Sequence, residues 1–140
     1  MPARSLERAC ELYERGWAEQ ARFRFPSATR LLKRALVRSE RVDLSPERAA
    51  IRARIFYTLG LCQGETSGME LAVEAFDAAR HEIATIEDSA SRTLLYASVD
   101  HNQGLMVMRM GQPDRAVEWF SRFLDSVEED VDQTLSLIHI

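Results

Sequence analysis

Turn formers are scarce in this chain, with six Gly and four Pro among 140 residues. A sandwich or barrel of many short strands needs a turn signal every few residues, so an all-β fold is disfavoured at the outset. Cysteine is scarcer still: Cys10 and Cys62 stand alone. Two lone thiols, behind a start that soon carries Glu and lacks the apolar core of a signal peptide, point to reduced cysteines in a cytoplasmic protein. No apolar run approaches the roughly 18 residues that a membrane span requires. Lysine is nearly missing, since Lys33 is the one basic residue that is not Arg. We read that usage as the codon bias of a GC-rich genome rather than as chemistry.

What is present suits one globular domain or a piece of one. Hydrophobic residues make up 46% and charged residues 29%, too apolar a balance for a disordered chain. Charge is unevenly placed. Residues 1–55 hold 13 Arg/Lys against 7 Asp/Glu, a balance of +6, and the remainder holds 5 against 15, or −10, which sum to the net −4. The arginines of the basic half interleave with Glu7, Glu11, Glu14 and Glu19 at helical spacing, the pattern of a solvated helix face. With no basic-aromatic stripe and a negative total, nucleic acid is not an expected partner.

Internal periodicity is the strongest signal. Gly16, Gly60 and Gly104 are each 44 apart (60 − 16 and 104 − 60). Ala9, Ala53 and Ala97 share that spacing, as do Ala28, Ala72 and Ala116, then Leu32, Phe76 and Phe120, then Ala35, Ala79 and Phe123. Arg4, Arg48 and Arg92 form one more column. The chain therefore reads as three copies of one unit, at about 5–42, 45–86 and 89–130.

Each unit holds two helices. Ser45-Pro46-Glu47 is a cap followed by Pro at the first helical position, and it opens a predicted helix to about Gln63. Gly64 to Gly68 breaks it, and a second helix runs from about Met69 to Ile86. The third unit predicts helices from Ser89 to about Met110 and from Pro113 to about Glu128; the first, from about Ser5 to Phe23 and from Pro26 to about Ser39. The small columns suggest close helix approach, with Gly16, Gly60 and Gly104 facing Ala28, Ala72 and Ala116. Leu32, Phe76 and Phe120 would then fill the space between successive units.

The run Asn102-Gln103-Gly104-Leu105, followed by Gly111-Gln112-Pro113-Asp114-Arg115-Ala116-Val117-Glu118-Trp119-Phe120, resembles the tetratricopeptide (TPR) repeat. The middle unit fits through Phe56, Leu59, Gly60, Ala72, Phe76 and Ala79. The first fits through Gly16, Pro26, Ala28, Leu32 and Ala35, but lacks the turn glycine. The resemblance covers nearly all of residues 5–128. It implies an all-α, right-handed α-solenoid of three antiparallel helix pairs, although the unit is longer than the standard TPR. Arg24 to Leu36 and Asn102 to Gly111 look similar to arrays that precede a CHAT (caspase-like) peptidase domain in actinobacterial proteins.

In that family the first helices line a concave groove that holds protein or peptide. The matching positions here are Tyr13, Tyr57 and His101, then Trp17, Leu61 and Leu105, with Arg54, Asn102 and Arg109 beside them. Aromatic and Arg residues on such a face are typical anchors, although the same aromatic columns also suit packing between helices. The resemblance thus implies a non-enzymatic interaction scaffold. The alternative is the N-terminal sensory or docking segment of a larger CHAT-type peptidase or repeat-containing transcription regulator. Asn102 alone does not reproduce the clamp that some relatives use for a terminal carboxylate, so a helical or extended peptide is the expected ligand.

Catalytic arrangements fit poorly. Cys62 aligns with Met106, five residues past His101, or about 7.5 Å along a helix, too far for a Cys–His pair. His81, His101 and His139 have no metal-ligand spacing with Cys or acids, and no phosphate loop is present. No cofactor, metal or small-molecule substrate is expected, and neither is a membrane partner. The end, Leu135-Ser136-Leu137-Ile138-His139-Ile140, departs from the repeat, and its letters match one reading frame of a sequencing-library adaptor. We therefore expect residues 131–140 to be an acidic end followed by non-native residues, after a fragment that stops near Thr134.

Overall fold

The computed structural model describes the backbone of residues 2–138 and the side chains of residues 4–128. The chain is all-α: α1 Pro2–Ala21, α2 Phe25–Ser39, α3 Pro46–Thr66, α4 Met69–Ala84, α5 Ser89–Arg109 and α6 Pro113–Ile138. Among the described residues there is no strand. Two helices outrun their predicted ends. α3 continues through Gly64, which lies under Met106 of α5 where a Cβ would overlap the Met106 side chain; the helix stops at Ser67-Gly68 instead, with Gly68 at φ 102°. α6 passes Glu128 because no Gly or Pro follows Pro113 to stop it. The side chains of the expected acidic and non-native end, residues 131–140, lie outside the described residues.

Consecutive helices pack as the pairs α1/α2, α3/α4 and α5/α6. Within a pair the contacts run Arg52–Glu82, Gly60–Phe76 and Gly64–Ala72, one number climbing while the other falls, which makes the two helices antiparallel. α3 is central and touches α1, α2, α4 and α5. It can do so because it is apolar on two sides. Ile51, Ile55, Leu59 and Cys62 join Leu31, Leu32 and Ala35 of α2 in one cluster. Ala53, Tyr57 and Leu61 join Phe76, Ala79, Val99 and Met106 in another.

The glycine columns do different work from that expected. A Cβ at Gly60 would lie 2.7 Å from Cε2 of Phe76; one at Gly16, 2.8 Å from Cγ of Leu32; one at Gly104, 2.8 Å from Cε1 of Phe120. Each glycine therefore receives the bulky residue 16 positions on, inside its own pair. The expectation that it faces Ala28, Ala72 or Ala116, with the bulky residue lying between units, is corrected. The reason is geometric: a ring against a glycine fills the gap that two small residues would leave empty.

The arginine column acquires a purpose. Arg48 Nε donates to the Ser39 carbonyl at the end of α2 (3.3 Å), and Arg92 Nη1 donates to the carbonyls of Ile86 and Glu87, just past α4. A cation on unsatisfied carbonyls at a helix C-terminus is favourable. Arg52 adds a joint across three helices, donating to Ser39 Oγ on α2 (2.9 Å) and to Glu82 Oε1 on α4 (2.8 Å). Arg80 bridges α4 to Asp100 of α5 at 3.0 Å.

The α1–α2 turn lacks glycine yet closes as the α5–α6 turn does. Phe23 and Arg24 donate to Gln20 and Glu19 as Gly111 and Gln112 donate to Met108 and Val107. Phe23 sits at φ 60° where Gly111 sits at φ 77°, a left-handed conformation that costs a non-glycine residue roughly 1–2 kcal/mol. Its ring lies edge-on to Phe25 and under the Arg109 guanidinium, 5.3 Å from the centroid. No described helix is long and apolar enough to cross a membrane.

Candidate functional site

A cleft of about 1220 Å³ opens at the N-terminal ends of α3 and α5. Ala50 and Arg54 of α3 form one wall, Leu94 and Ser98 of α5 the other, with Leu44 at the rim and Ile86 beneath. Two apolar residues there are unusually open, Leu44 at 87% exposure and Leu94 at 54%. Both helix N-termini at the cleft are already capped: Ser45 Oγ accepts from the Arg48 amide (3.1 Å), and Asp88 Oδ2 accepts from the Ser91 amide (3.2 Å). The Ser91 hydroxyl donates to the same oxygen, and that bond first, with the amide second, holds the Asp88 carboxyl below its usual value. One end amide of each helix is thus committed to the fold, and Arg54 is an exposed guanidinium that lines the opening.

The residues singled out from the repeat separate into three groups. Tyr57, Leu61 and Asn102 are buried, and their first role is packing. Burial, with the Tyr13 hydroxyl beside it, pushes the Tyr57 phenol upward, while Arg54 pulls the other way. Asn102 Nδ2 donates to the Ser98 carbonyl at 2.7 Å, and its Oδ1 has no partner among the described residues. Tyr13, His101 and Leu105 are half-buried. The His101 ring turns to Phe120 and Phe123 of α6, with centroids 5.8 and 5.1 Å away, so it addresses its own pair rather than an opening. Trp17 and Arg109 are exposed but lie toward the C-terminal ends of α1 and α5. Arg109 Nη1 donates to Gln20 Oε1 at 3.3 Å and is engaged there with Phe23. Of the nine residues, Arg54 alone lines the cleft. Leu44 and Leu94 were missed, although a leucine between Asp43 and Ser45 in the loop before Pro46 was a visible signal.

Cys62 is wholly buried, and burial pushes its thiol up to about 11, with Thr29 and Arg109 pulling it down. Cys10 is half-buried and its thiol is also raised, mainly by burial and next by Glu14. A thiol raised on folding stabilises the fold fully below its ordinary value of about 8.5, and that contribution is lost as the pH climbs through the folded value. In native protein at about pH 8, an aromatic disulfide reagent is expected to titrate Cys10 slowly and Cys62 only after denaturant is added. Two equally fast thiols in the folded state would contradict this burial. No group of three or more His, Cys, Asp or Glu able to hold a metal ion occurs among the described residues. Comparison with protein-family models, with curated proteins and with solved structures finds no match to this chain.

Proposed function

We propose that this chain is a TPR-like helical-repeat scaffold, a right-handed solenoid of three helix pairs, that binds a partner protein through a helical or extended peptide. The observation that carries this reading is the cleft between α3 and α5, with Leu44 and Leu94 open and Arg54 at its wall. Exposed apolar side chains around a concave opening, with one charged group to fix orientation, are the makings of a peptide site. The ligand would place an apolar side chain against Leu94 and a carboxylate near Arg54. We read the site as one for binding because most of its polar groups already serve the fold: Ser45, Asp88 and Ser91 cap helices, Arg48 is held by the Ser39 carbonyl, Glu82 by Arg52, and His81 by the Asp77 carbonyl.

Selection from a displayed peptide library tests the site. Peptides enriched on the parent chain are expected to lose about tenfold or more in affinity to Leu94→Asp and to Arg54→Glu. Both positions are exposed, so the helical signal and thermal midpoint should stay near those of the parent. Enriched peptides that ignore both substitutions would place binding elsewhere. Tyr57→Ala is a poor probe, because a residue with 8% exposure reports on folding first.

A further inference from the structure

Among the described residues α1 and α5 make no close backbone approach to each other, because α3 lies between them. A side chain spans that gap. Arg109, the last residue of α5, donates through Nη1 to Gln20 Oε1 on α1 at 3.3 Å. The same guanidinium lies 5.3 Å from the ring centroid of Phe23, in the turn that follows α1. Gln20 is buried, so the bond anchors Arg109 to the body of the first helix pair.

The repeat does not call for this contact. Gln20 shares its column with Gly64 and Met108, Phe23 with Ser67 and Gly111, and Arg109 with Ala21 and Glu65. Three residues that depart from their columns thus meet at one point. Phe23 departs under strain, holding φ 60° in a turn where the third pair has Gly111 at φ 77°. A strained residue kept where glycine would sit without strain marks a side chain with a use. What its ring meets here is Phe25 and Arg109.

The same end of α5 is where that helix closes on α3. Met106 lies over Gly64 so closely that a Cβ there would overlap its side chain. Farther back, Arg80 of α4 holds Asp100 at 3.0 Å. Toward their N-termini α3 and α5 part around the cleft, with Ala50 and Arg54 on one wall and Leu94 and Ser98 on the other. α5 is a single helix from Ser89 to Arg109 without Pro, so it tilts as a rod. Leu94 lies about 22 Å along that rod from Arg109, and a tilt of about 10° about the Arg109 end would carry it about 4 Å.

We infer that Arg109, gripping Gln20 and Phe23, is a strap that ties the third helix pair to the first across α3 and fixes the tilt of α5, and with it the width of the cleft. Arg109 is thus a positioning residue, which acts through α5 and does not touch what binds. The strap stands on these contacts alone; its effect on binding rests on the reading of the cleft as a peptide site. Both contacts belong to an exposed guanidinium, so releasing them leaves the cores of the three pairs in place.

The test measures the cleft directly, in the whole chain with Cys10→Ala and Cys62→Ala and with nitroxide labels on Glu47→Cys and Ala90→Cys, two exposed positions at its mouth. Pulsed electron resonance should give one narrow distance distribution in this parent. Arg109→Ala should widen it by about 4 Å, the displacement of a tilt of about 10°. Arg109→Lys keeps the charge but loses the planar fork and should fall between the two. Phe23→Gly separates the strap from plain stability. It relieves the strained backbone, so the thermal midpoint should hold, yet the distribution should still widen. Distributions unchanged by both Arg109→Ala and Phe23→Gly would overturn the strap. For binding, peptides that Leu94→Asp abolishes should lose about threefold or more in affinity to Arg109→Ala. Indifference of those peptides, with the distances widened, would overturn the link to binding and uphold the strap. A library with no peptide sensitive to Leu94→Asp would overturn the reading of the cleft and that link with it, while the distances still decide the strap.

Discussion

Gly60→Leu is expected to lower the thermal midpoint by about 10 °C, the equivalent of roughly 3 kcal/mol for a chain of this size. Two effects oppose each other. Replacing a mid-helix glycine recovers up to about 1 kcal/mol of helix propensity. Against that, the new Cβ would stand 2.7 Å from a Phe76 ring that is wholly buried, and the rest of the leucine has nowhere to go. Overpacking in a filled core costs about 1–3 kcal/mol and sometimes more, so it wins. Phe76→Ala should cost about 3–5 kcal/mol by leaving a cavity opposite Gly60. The double variant should then be milder than the sum of the two, because the leucine enters the space the ring vacated, with a coupling of about 0.5–3 kcal/mol. Urea or thermal melts of the four proteins measure this. A Gly60→Leu chain that melts like its parent would refute the contact.

That contact also marks what the sequence could and could not tell. The 44-residue columns were legible because a repeated packing problem has a repeated solution, so all six helices fall near their predicted places. Which residue each glycine faces was not legible. Periodicity says that two columns lie on facing helices, but not which of the neighbouring rows on the second helix meets the glycine, since Ala72 and Phe76 are one turn apart on the same face. The groove was less legible still. Tyr57 and Leu61 occupy columns that suit a binding face or a core equally well. The outcome turned on α3 being enclosed by four other helices, a property of the assembly rather than of any local pattern. Phe23 shows the converse. The first unit lacks the turn glycine, yet the turn forms with Phe23 at φ 60°. The hydrogen bonds of the helix end, with Phe25 and Arg109 against the ring, hold the strained residue in place.

The sharpest separation of surface from joint comes from exchanging residues within one column. Positions 11, 55 and 99 hold Glu, Ile and Val. Glu11 is exposed and pairs with Arg8 at 3.2 Å, whereas Ile55 and Val99 are 0% exposed. Ile55→Glu should therefore destabilise by about 4 kcal/mol or more, since it places a carboxylate among Leu31, Leu32 and Ala35 with no cation built to meet it. Burial would raise that carboxyl above the unfolded value of about 4.3. A group raised on folding keeps its contribution below the unfolded value and loses it as the pH rises through the folded one, so the deficit against the parent should be smallest near pH 4 and grow toward neutrality. The reverse exchange, Glu11→Ile, loses only an exposed ion pair and should stay within about 0.5 kcal/mol of the parent. Denaturant midpoints of both variants across that pH range read the result. If the two exchanges cost the same, positions 11 and 55 do not differ in burial; if only Ile55→Glu fails, one column serves as surface in the first pair and as core in the second.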